Sequence, residues 1–221
     1  PSNNGNSNEG MCFINVQTGW ICSSLGRVLR TTNGGVFWDT SYAANIMFDI
    51  QFINLQTGWV CGVGGTLFKS TDGGINWEGG PLLTGANLSA VNFINVNTGW
   101  LVSEQGRRIF RTTNAGTKWD TVSVLPGLST DFLYSVHFVN SQTGWTGGSN
   151  SQLYKTINGG LNWFKQTVPT SLYVYNFSFF NDSIGWATGG NQGVIIHTTN
   201  GGTYVSLDPI SNTIPQDFIL Y

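Results

Sequence analysis

The chain has 221 residues, which is enough for one sizeable core and for one or at most two domains. Charged residues make up only 9% and the net charge is −2, so neither nucleic acid nor an acidic membrane surface is an expected partner. Neutral polar residues must then cover most of the exterior, a composition more common outside cells than inside.

The first ten residues, PSNNGNSNEG, are predicted to be a polar leader spanning residues 1–10. Cys12, Cys22 and Cys61 follow without the spacing of metal ligands, and we predict no metal and no cofactor. Cys22 and Cys61 each lie two residues after a Gly-Trp pair. Because they fill equivalent positions, we expect small apolar core residues rather than a disulfide.

Residues 11–206 repeat one unit five times. The segments FINVQTGWICSSLGRVLRTTNGGVFW and FINLQTGWVCGVGGTLFKSTDGGINW, residues 13–38 and 52–77, align without gaps, and three further segments follow the same pattern. Their Gly-Trp pairs lie 39 to 45 residues apart, at Gly19, Gly58, Gly99, Gly144 and Gly185. A period near 40 residues is typical of repeat architectures.

Each unit contains four short apolar stretches rich in β-branched and aromatic residues, separated by Gly, Asn and Thr clusters. No window offers helical spacing over three turns, so the protein is predicted to be all-β. A four-stranded unit cannot bury both faces alone, and radial stacking solves this while shortening exposed edges. The sequence therefore predicts a β-propeller of about five four-stranded blades.

Between the third and fourth strand of each unit lies a turn such as TTNGGVFW or STDGGINW. We call these five segments the box turns: residues 31–38, 70–77, 112–119, 156–163 and 198–205. The motif resembles the Asp-box, or BNR, repeat, and with the preceding FINxQTGW segment it resembles the repeat of photosystem II assembly-factor-like propellers. The resemblance implies the propeller fold. It does not select a function, because enzymes, receptors and binding proteins share such turns.

The third box position is occupied by Asn33, Asp72, Asn114, Asn158 and Asn200. Asp or Asn at this place can accept hydrogen bonds from nearby backbone N–H groups, and the following Gly can adopt positive φ. Four neutral amides in five repeats argue against calcium binding, which prefers carboxylates among several oxygen ligands. They also argue against catalysis, which needs a pair of tuned groups or a nucleophile with a base. We interpret the box residues as structural.

A cation or an imidazole precedes each box in the same register: Arg30, Lys69, Arg111, Lys155 and His197. If these heads shared one surface, they would form a ring able to hold a polyanion or an acidic partner. The alternative is that each stem packs along a neighbouring blade, with its head over an aromatic ring or solvated at the edge. The regular repetition favours this structural alternative.

No nucleophile-base motif, metal-protease motif or phosphate loop occurs, and no glutamate stands in a recognisable catalytic context. All nine tryptophans occupy repeat positions, so a ligand would depend on Tyr42, Tyr134, Tyr173, Tyr175 or an exposed repeat Trp. The hypothesis that the protein is an enzyme rests only on analogy with enzymes of the same fold. We predict that no residue is catalytic.

Residues 207–221 are predicted to be a linker, and their segment SNTIPQDFILY resembles the opening of the type A sorting domain of type IX secretion substrates. This resemblance implies export across the outer membrane of a Bacteroidota-like bacterium. The triplets Asp120-Thr121-Val122 and Asp182-Ser183-Ile184 resemble the O-glycosylation signal of such bacteria, which makes Thr121 and Ser183 candidate acceptors.

The predicted function is a secreted or cell-surface, non-enzymatic propeller that binds a protein or glycan or serves as a subunit of an extracellular assembly, as a homo-oligomer or filament. A glycan-binding or glycan-hydrolysing propeller is one alternative. An assembly factor for a membrane protein complex is another. No nucleic acid and no membrane insertion are expected.

Overall fold

The structure, a computed structural model, describes residues 8–43, 45–128, 130–166, 172–190 and 193–202. Its regular elements are strands, apart from two three-residue 3-10 turns at Val63–Gly65 and Gln105–Arg107. No helix in the described ranges is long and apolar enough to cross a membrane.

The strands form five antiparallel sheets, each built from strands consecutive in sequence. The first two sheets comprise β1 (Asn8–Phe13), β2 (Gly19–Ser23), β3 (Arg27–Thr31), β4 (Asp39–Tyr42), β5 (Met47–Phe52), β6 (Gly58–Gly62), β7 (Leu67–Ser70) and β8 (Glu78–Gly79). The third and fourth comprise β9 (Leu88–Phe93), β10 (Gly99–Ser103), β11 (Arg108–Thr112), β12 (Asp120–Val124), β13 (Leu133–Phe138), β14 (Gly144–Gly148), β15 (Leu153–Thr156) and β16 (Phe164–Lys165). The fifth comprises β17 (Val174–Phe179), β18 (Gly185–Gly189) and β19 (Val194–Thr198).

The sheets are the predicted blades. The first strand of each packs against the first strand of the next, β1 on β5, β5 on β9, β9 on β13 and β13 on β17, which places these strands innermost. In the first four blades, the box turn joins the third strand to the fourth. The predicted all-β propeller with five blades is thereby confirmed.

The predicted leader and linker lie mostly outside the described residues. Strand β1 begins at Asn8, so the last three residues of the predicted leader contribute to the first blade. Residues 203–221, which include the segment SNTIPQDFILY, are not among those described.

Neighbouring blades are joined by one repeated contact. In the first four blades, the Trp of the Gly-Trp pair stacks on the Phe that ends the first strand of the next blade, with ring centroids 3.5 to 3.7 Å apart. The four pairs are Trp20 with Phe52, Trp59 with Phe93, Trp100 with Phe138 and Trp145 with Phe179. These tryptophans are at most 1% exposed, so they form the centre of the core between blades.

Three of these indoles also hydrogen-bond the next blade. Trp20, Trp100 and Trp145 donate Nε1–H to the carbonyl oxygens of Gly73, Gly159 and Gly201, at 2.8 to 3.2 Å. In the remaining junction, the Lys69 ammonium donates to the equivalent carbonyl, that of Ala115, at 3.0 Å. Trp59 Nε1 has no hydrogen-bond partner among the described residues.

The position before the Trp is occupied by Gly for a steric reason. In the third blade, a Cβ added to Gly99 would lie 2.5 Å from the ring of Phe93, its partner on the adjacent strand. The ring occupies the space above the glycine because it must face Trp59 of the preceding blade. A larger residue would push this ring out of the stack.

Cys22 and Cys61 are buried free thiols at equivalent positions on the second strands, as expected. Burial raises the pKa of Cys22 to about 12 and that of Cys61 well above its usual range. Both thiols therefore stay protonated and act as small apolar groups in the core.

Candidate functional site

The innermost strand of every blade contains a β-bulge at its second residue. The pairing register with the neighbouring strand shifts there in all five sheets. The residues skipped by the register are Glu9, Phe48, Ser89, Tyr134 and Tyr175. A bulge redirects a side chain, and bulges occur often beside active sites. These five positions therefore indicate a candidate functional site.

All five bulge residues line one cavity of about 130 Å³, which we call the channel mouth. The remaining lining residues, Asp49, Ala90, Ser135, Val136 and Asn176, adjoin them on the same strands. Every blade thus contributes one equivalent side chain to the channel mouth. Their chemistry differs from blade to blade, whereas the core positions of the repeat are nearly uniform.

An aromatic row occupies the side of the channel mouth formed by the fourth and fifth blades. The rings of Tyr134 and Tyr175 lie 5.5 Å apart, and Tyr173 and Phe132 extend the row at 6.1 and 6.4 Å. Tyr175 is 49% exposed. The row consists of Phe132, Tyr134, Tyr175 and Tyr173.

Acidic residues of the first two blades line the same cavity. Glu9 and Asp49 line the channel mouth, and none of its lining residues is Lys or Arg. Burial raises the pKa of Asp49 to about 6, although the N–H groups of Val91 and Ile50 donate to its carboxylate at 2.9 Å. Burial raises the pKa of Tyr134 too, and the Glu104 carboxylate adds to the effect. The channel mouth therefore disfavours anions.

The arrangement offers tyrosine faces for stacking, phenol hydroxyls for hydrogen bonds and an acidic border. Tyrosine supplies large, rigid contact area at low entropic cost, which suits peptide and sugar ligands. Of the four tyrosines considered from sequence, Tyr134, Tyr173 and Tyr175 meet here. Tyr42 lies apart on the outer strand β4 and is 65% exposed.

Sequence reasoning missed the channel mouth as a site, although a signal was available. Each bulge residue stands four positions before the repeat Phe: Glu9, Phe48, Ser89, Tyr134 and Tyr175 precede Phe13, Phe52, Phe93, Phe138 and Phe179. The residue type at this position differs among the repeats, as it does at the third and fifth positions of the strand, whereas all five share the Phe. Such disagreement is what a functional position on a repeated scaffold produces.

The five residues that precede the box turns lie on the third strands, away from the channel mouth; they are Arg30, Lys69, Arg111, Lys155 and His197. Each member pairs across the sheet with the Trp of the Gly-Trp motif, and all five are half-buried. Lys69, Arg111 and Lys155 lie over Trp59, Trp100 and Trp145 at 5.2 to 5.6 Å from the ring centroid. The His197 ring stacks on Trp186 at 4.8 Å, and Arg30 faces Trp20 in the same register. A polyanion-binding ring remains a prediction.

The box residues share one local geometry. Oδ1 of Asn33, Asp72, Asn114, Asn158 and Asn200 accepts a hydrogen bond from the Ser or Thr hydroxyl two residues earlier, at 2.8 to 3.1 Å. In the first four, the same oxygen accepts the backbone N–H four residues later at 2.9 Å. Backbone N–H donation from Asn76, above all, lowers the pKa of Asp72 to about 2.

The two candidate glycosylation residues lie in different settings. Thr121 is exposed on the outer strand β12 of the third blade. Ser183 is half-buried in the turn before β18, where its hydroxyl donates to Asp182 at 2.9 Å. Among the described residues, no group of three or more His, Cys, Asp or Glu is placed to hold a metal ion.

Comparison with protein families gave one match. The model described as "Photosynthesis system II assembly factor YCF48" matches residues 41–131 and 128–220, which is more than half of the chain. No curated protein matched.

Solved structures share the fold. A structure of YCF48 bound to D1 peptide is 17% identical, with a TM-score of 0.52 over 91% of this chain and 80% of that one. An ancestral GH74 enzyme is 20% identical, with a TM-score of 0.74 over 91% of this chain. A catalytically inactive virginiamycin B lyase from Staphylococcus aureus, with quinupristin, is 14% identical, with a TM-score of 0.76 over 96% of this chain and 73% of that one.

The chain spans only 31% of the length of the ancestral GH74 enzyme. At these identities the likeness concerns the fold alone.

Proposed function

The chain belongs to the photosynthesis system II assembly factor YCF48 family, and on that premise we propose that it is a non-enzymatic propeller that binds a protein segment at the channel mouth. The observation that carries the proposal is the aromatic row, which combines Tyr134, Tyr173 and Tyr175 beside a cavity lined by all five blades. A binding or assembly-factor role is what the family supports.

The partner segment is extended and neutral or basic. An extended chain suits a channel mouth whose rings lie in a row, because successive side chains or peptide planes can stack on successive tyrosines. The acidic lining, Glu9 and Asp49, selects against an acidic segment by like-charge repulsion. One family structure, YCF48 with D1 peptide, supports the choice of a peptide as the ligand class.

Binding to a tiled library of short synthetic peptides of systematically varied charge tests this proposal. We expect neutral and basic peptides to bind, and Tyr175→Ala to weaken binding about fivefold or more, because truncating a central aromatic contact costs about 1 kcal/mol or more. Fluorescence anisotropy on purified protein measures the loss. Adding the D1 peptide to the library examines whether the ligand resembles that of the family structure.

Tyr42→Ala is the matched control, since Tyr42 is an exposed tyrosine outside the channel mouth. Equal losses for Tyr42→Ala and Tyr175→Ala would contradict the site, as would a library in which only acidic peptides bind.

Glycan binding is the second candidate, because aromatic rings stack on sugars as readily as on peptides. Neutral oligosaccharides in the same assay distinguish the two ligand classes. Release of reducing ends from any of them would instead establish a hydrolase, the activity class of the GH74 enzymes with the same fold.

The setting we propose is extracellular. The low charge, the polar surface and the SNTIPQDFILY segment support export to the outer surface of a Bacteroidota-like cell. Protease added to intact cells of the source organism should then degrade the protein, while a cytoplasmic marker persists. Protection of the protein under these conditions would refute the proposed location. Mass spectrometry of the native protein reports whether Thr121 and Ser183 carry glycans.

A further inference from the structure

Among the described residues, the first and the fifth blade each have one face without the junction that joins neighbouring blades. Trp186 is the fifth member of the series whose first four are at most 1% exposed, yet 42% of it is accessible. Ile195 is 40% exposed, whereas its equivalents Val28, Leu67, Ile109 and Leu153 are at most 5% exposed. The outer face of the fifth blade therefore presents an uncovered stacking surface.

The opposite end shows the complementary half of the same junction. Met11 is 68% exposed, whereas its equivalents Ile50, Val91, Val136 and Phe177 are at most 8% exposed. Phe13, the equivalent of the ring on which each Trp stacks, is 45% exposed. No donor among the described residues reaches the Gly34 carbonyl, although its counterparts at Gly73, Gly159 and Gly201 each accept an indole N–H.

These two surfaces do not contact each other among the described strands of one chain. The other innermost strands pack against one another in sequence order. Among the described strands, β17 and β1 do not pack together in this way. One face therefore presents a Trp without its Phe, and the other presents a Phe without its Trp. Each is the partner that the other end lacks.

We propose that the open faces bind one another between copies of this chain, so that Trp186 of one copy stacks on Phe13 of the next. A second copy is the favoured occupant because it carries both halves of a contact already used four times in the fold. The contact is head-to-tail, and such contacts generate rings or filaments. A net charge of −2 opposes this association little.

Light scattering coupled to size-exclusion chromatography tests the proposal on the full chain. Wild-type protein should form species whose mass rises with concentration above the 24.0 kDa of one chain. Trp186→Ala and Phe13→Ala should each stay at the mass of one chain, because each removes one half of the contact.

An equimolar mixture of these two variants is the decisive measurement. The Phe13→Ala chain retains Trp186, and the Trp186→Ala chain retains Phe13, so one intact junction remains possible. We expect a species of twice the mass of one chain and nothing larger. Met11→Glu provides a second variant of the same face, should Phe13→Ala fold poorly.

Leu82→Ala, at a residue 77% exposed in the second blade, is the matched control and should assemble as the wild type does. Wild-type protein that stays at the mass of one chain at its highest soluble concentration would overturn the proposal. So would assemblies that persist in both single variants, or a variant mixture without the double-mass species. Peptide binding at the channel mouth is unaffected by any of these outcomes, because Trp186 and Phe13 do not line it.

Discussion

At the scale of single residues, the same side chain type has different consequences in different settings. Asp72 and Asp49 are both aspartates on the second blade, but hydrogen bonds lower the pKa of the first to about 2 and burial raises that of the second to about 6. Asp72 performs the role that four asparagines perform elsewhere. Asp49 lines the channel mouth, where the N–H groups of Ile50 and Val91 donate to its carboxylate.

The charge of Asp72 can be tested by substitution. Asp72→Asn should change the free energy of unfolding at pH 7 by less than about 1 kcal/mol, because an amide oxygen can accept the same bonds from Ser70 and Asn76. Asp72→Ala should cost about 1–2 kcal/mol, since these donors lose their acceptor. Urea denaturation followed by tryptophan fluorescence measures both values.

The pH dependence of Asp72 has a defined sign. Its folded-state pKa of about 2 lies below the ordinary value of 3.8, so the unfolded state binds more protons between these values. The stabilisation from ionised Asp72 is present above about pH 4 and is lost as the pH falls through 2. Wild type should lose more stability than Asp72→Asn on acidification from pH 5 to pH 2. Parallel pH curves for the two proteins would contradict this account.

At the scale of elements, one junction explains most of the repeat sequence. The Phe that ends the first strand, the Gly opposite it and the Trp beside that Gly all serve the contact between blades, as Phe93, Gly99 and Trp100 illustrate. The basic residue of the third strand covers the same indole, as Arg111 covers Trp100. Lys69 and Lys155 cover Trp59 and Trp145 in the same way, and the His197 ring stacks on Trp186.

Two tryptophans at the same repeat position provide a test of this junction. Trp100→Ala should lower the free energy of unfolding by about 3–5 kcal/mol, the usual cost of truncating a fully buried aromatic residue. Trp186→Ala should cost far less when measured at a concentration where the chain is a monomer, because its ring is 42% exposed. Denaturant titration monitored by circular dichroism gives both costs. Equal costs would refute the stacked junction as the source of stability.

At the scale of the whole molecule, structural and functional positions separate along each blade. Stacked Trp and Phe rings form the four core clusters between blades, and the box turns connect outer strands. The bulge positions alone face the central cavity from every blade and vary in chemistry. A uniform framework thus supports a non-uniform channel mouth, which is the arrangement expected of a binding propeller.

The sequence by itself determined the fold class, the number of blades in the chain and the places of the box turns. These follow from short-range rules: strand periodicity, the demand of turns for Gly and Asx, and a repeat that aligns with itself, as Asn33 aligns with Asp72. The burial of Cys22 and Cys61 followed from the same alignment.

Only the tertiary structure decided where the variable residues meet. Glu9 and Tyr175 are 166 positions apart in the chain. Neither local sequence indicates that both bulges line one cavity. The exposure of Trp186 and Phe13 could not be predicted from the sequence either, because the equivalent residues of the other repeats have the same identity and are less exposed. The physical reason is that a repeat encodes how a blade contacts its neighbour, while the presence of that neighbour depends on the whole assembly.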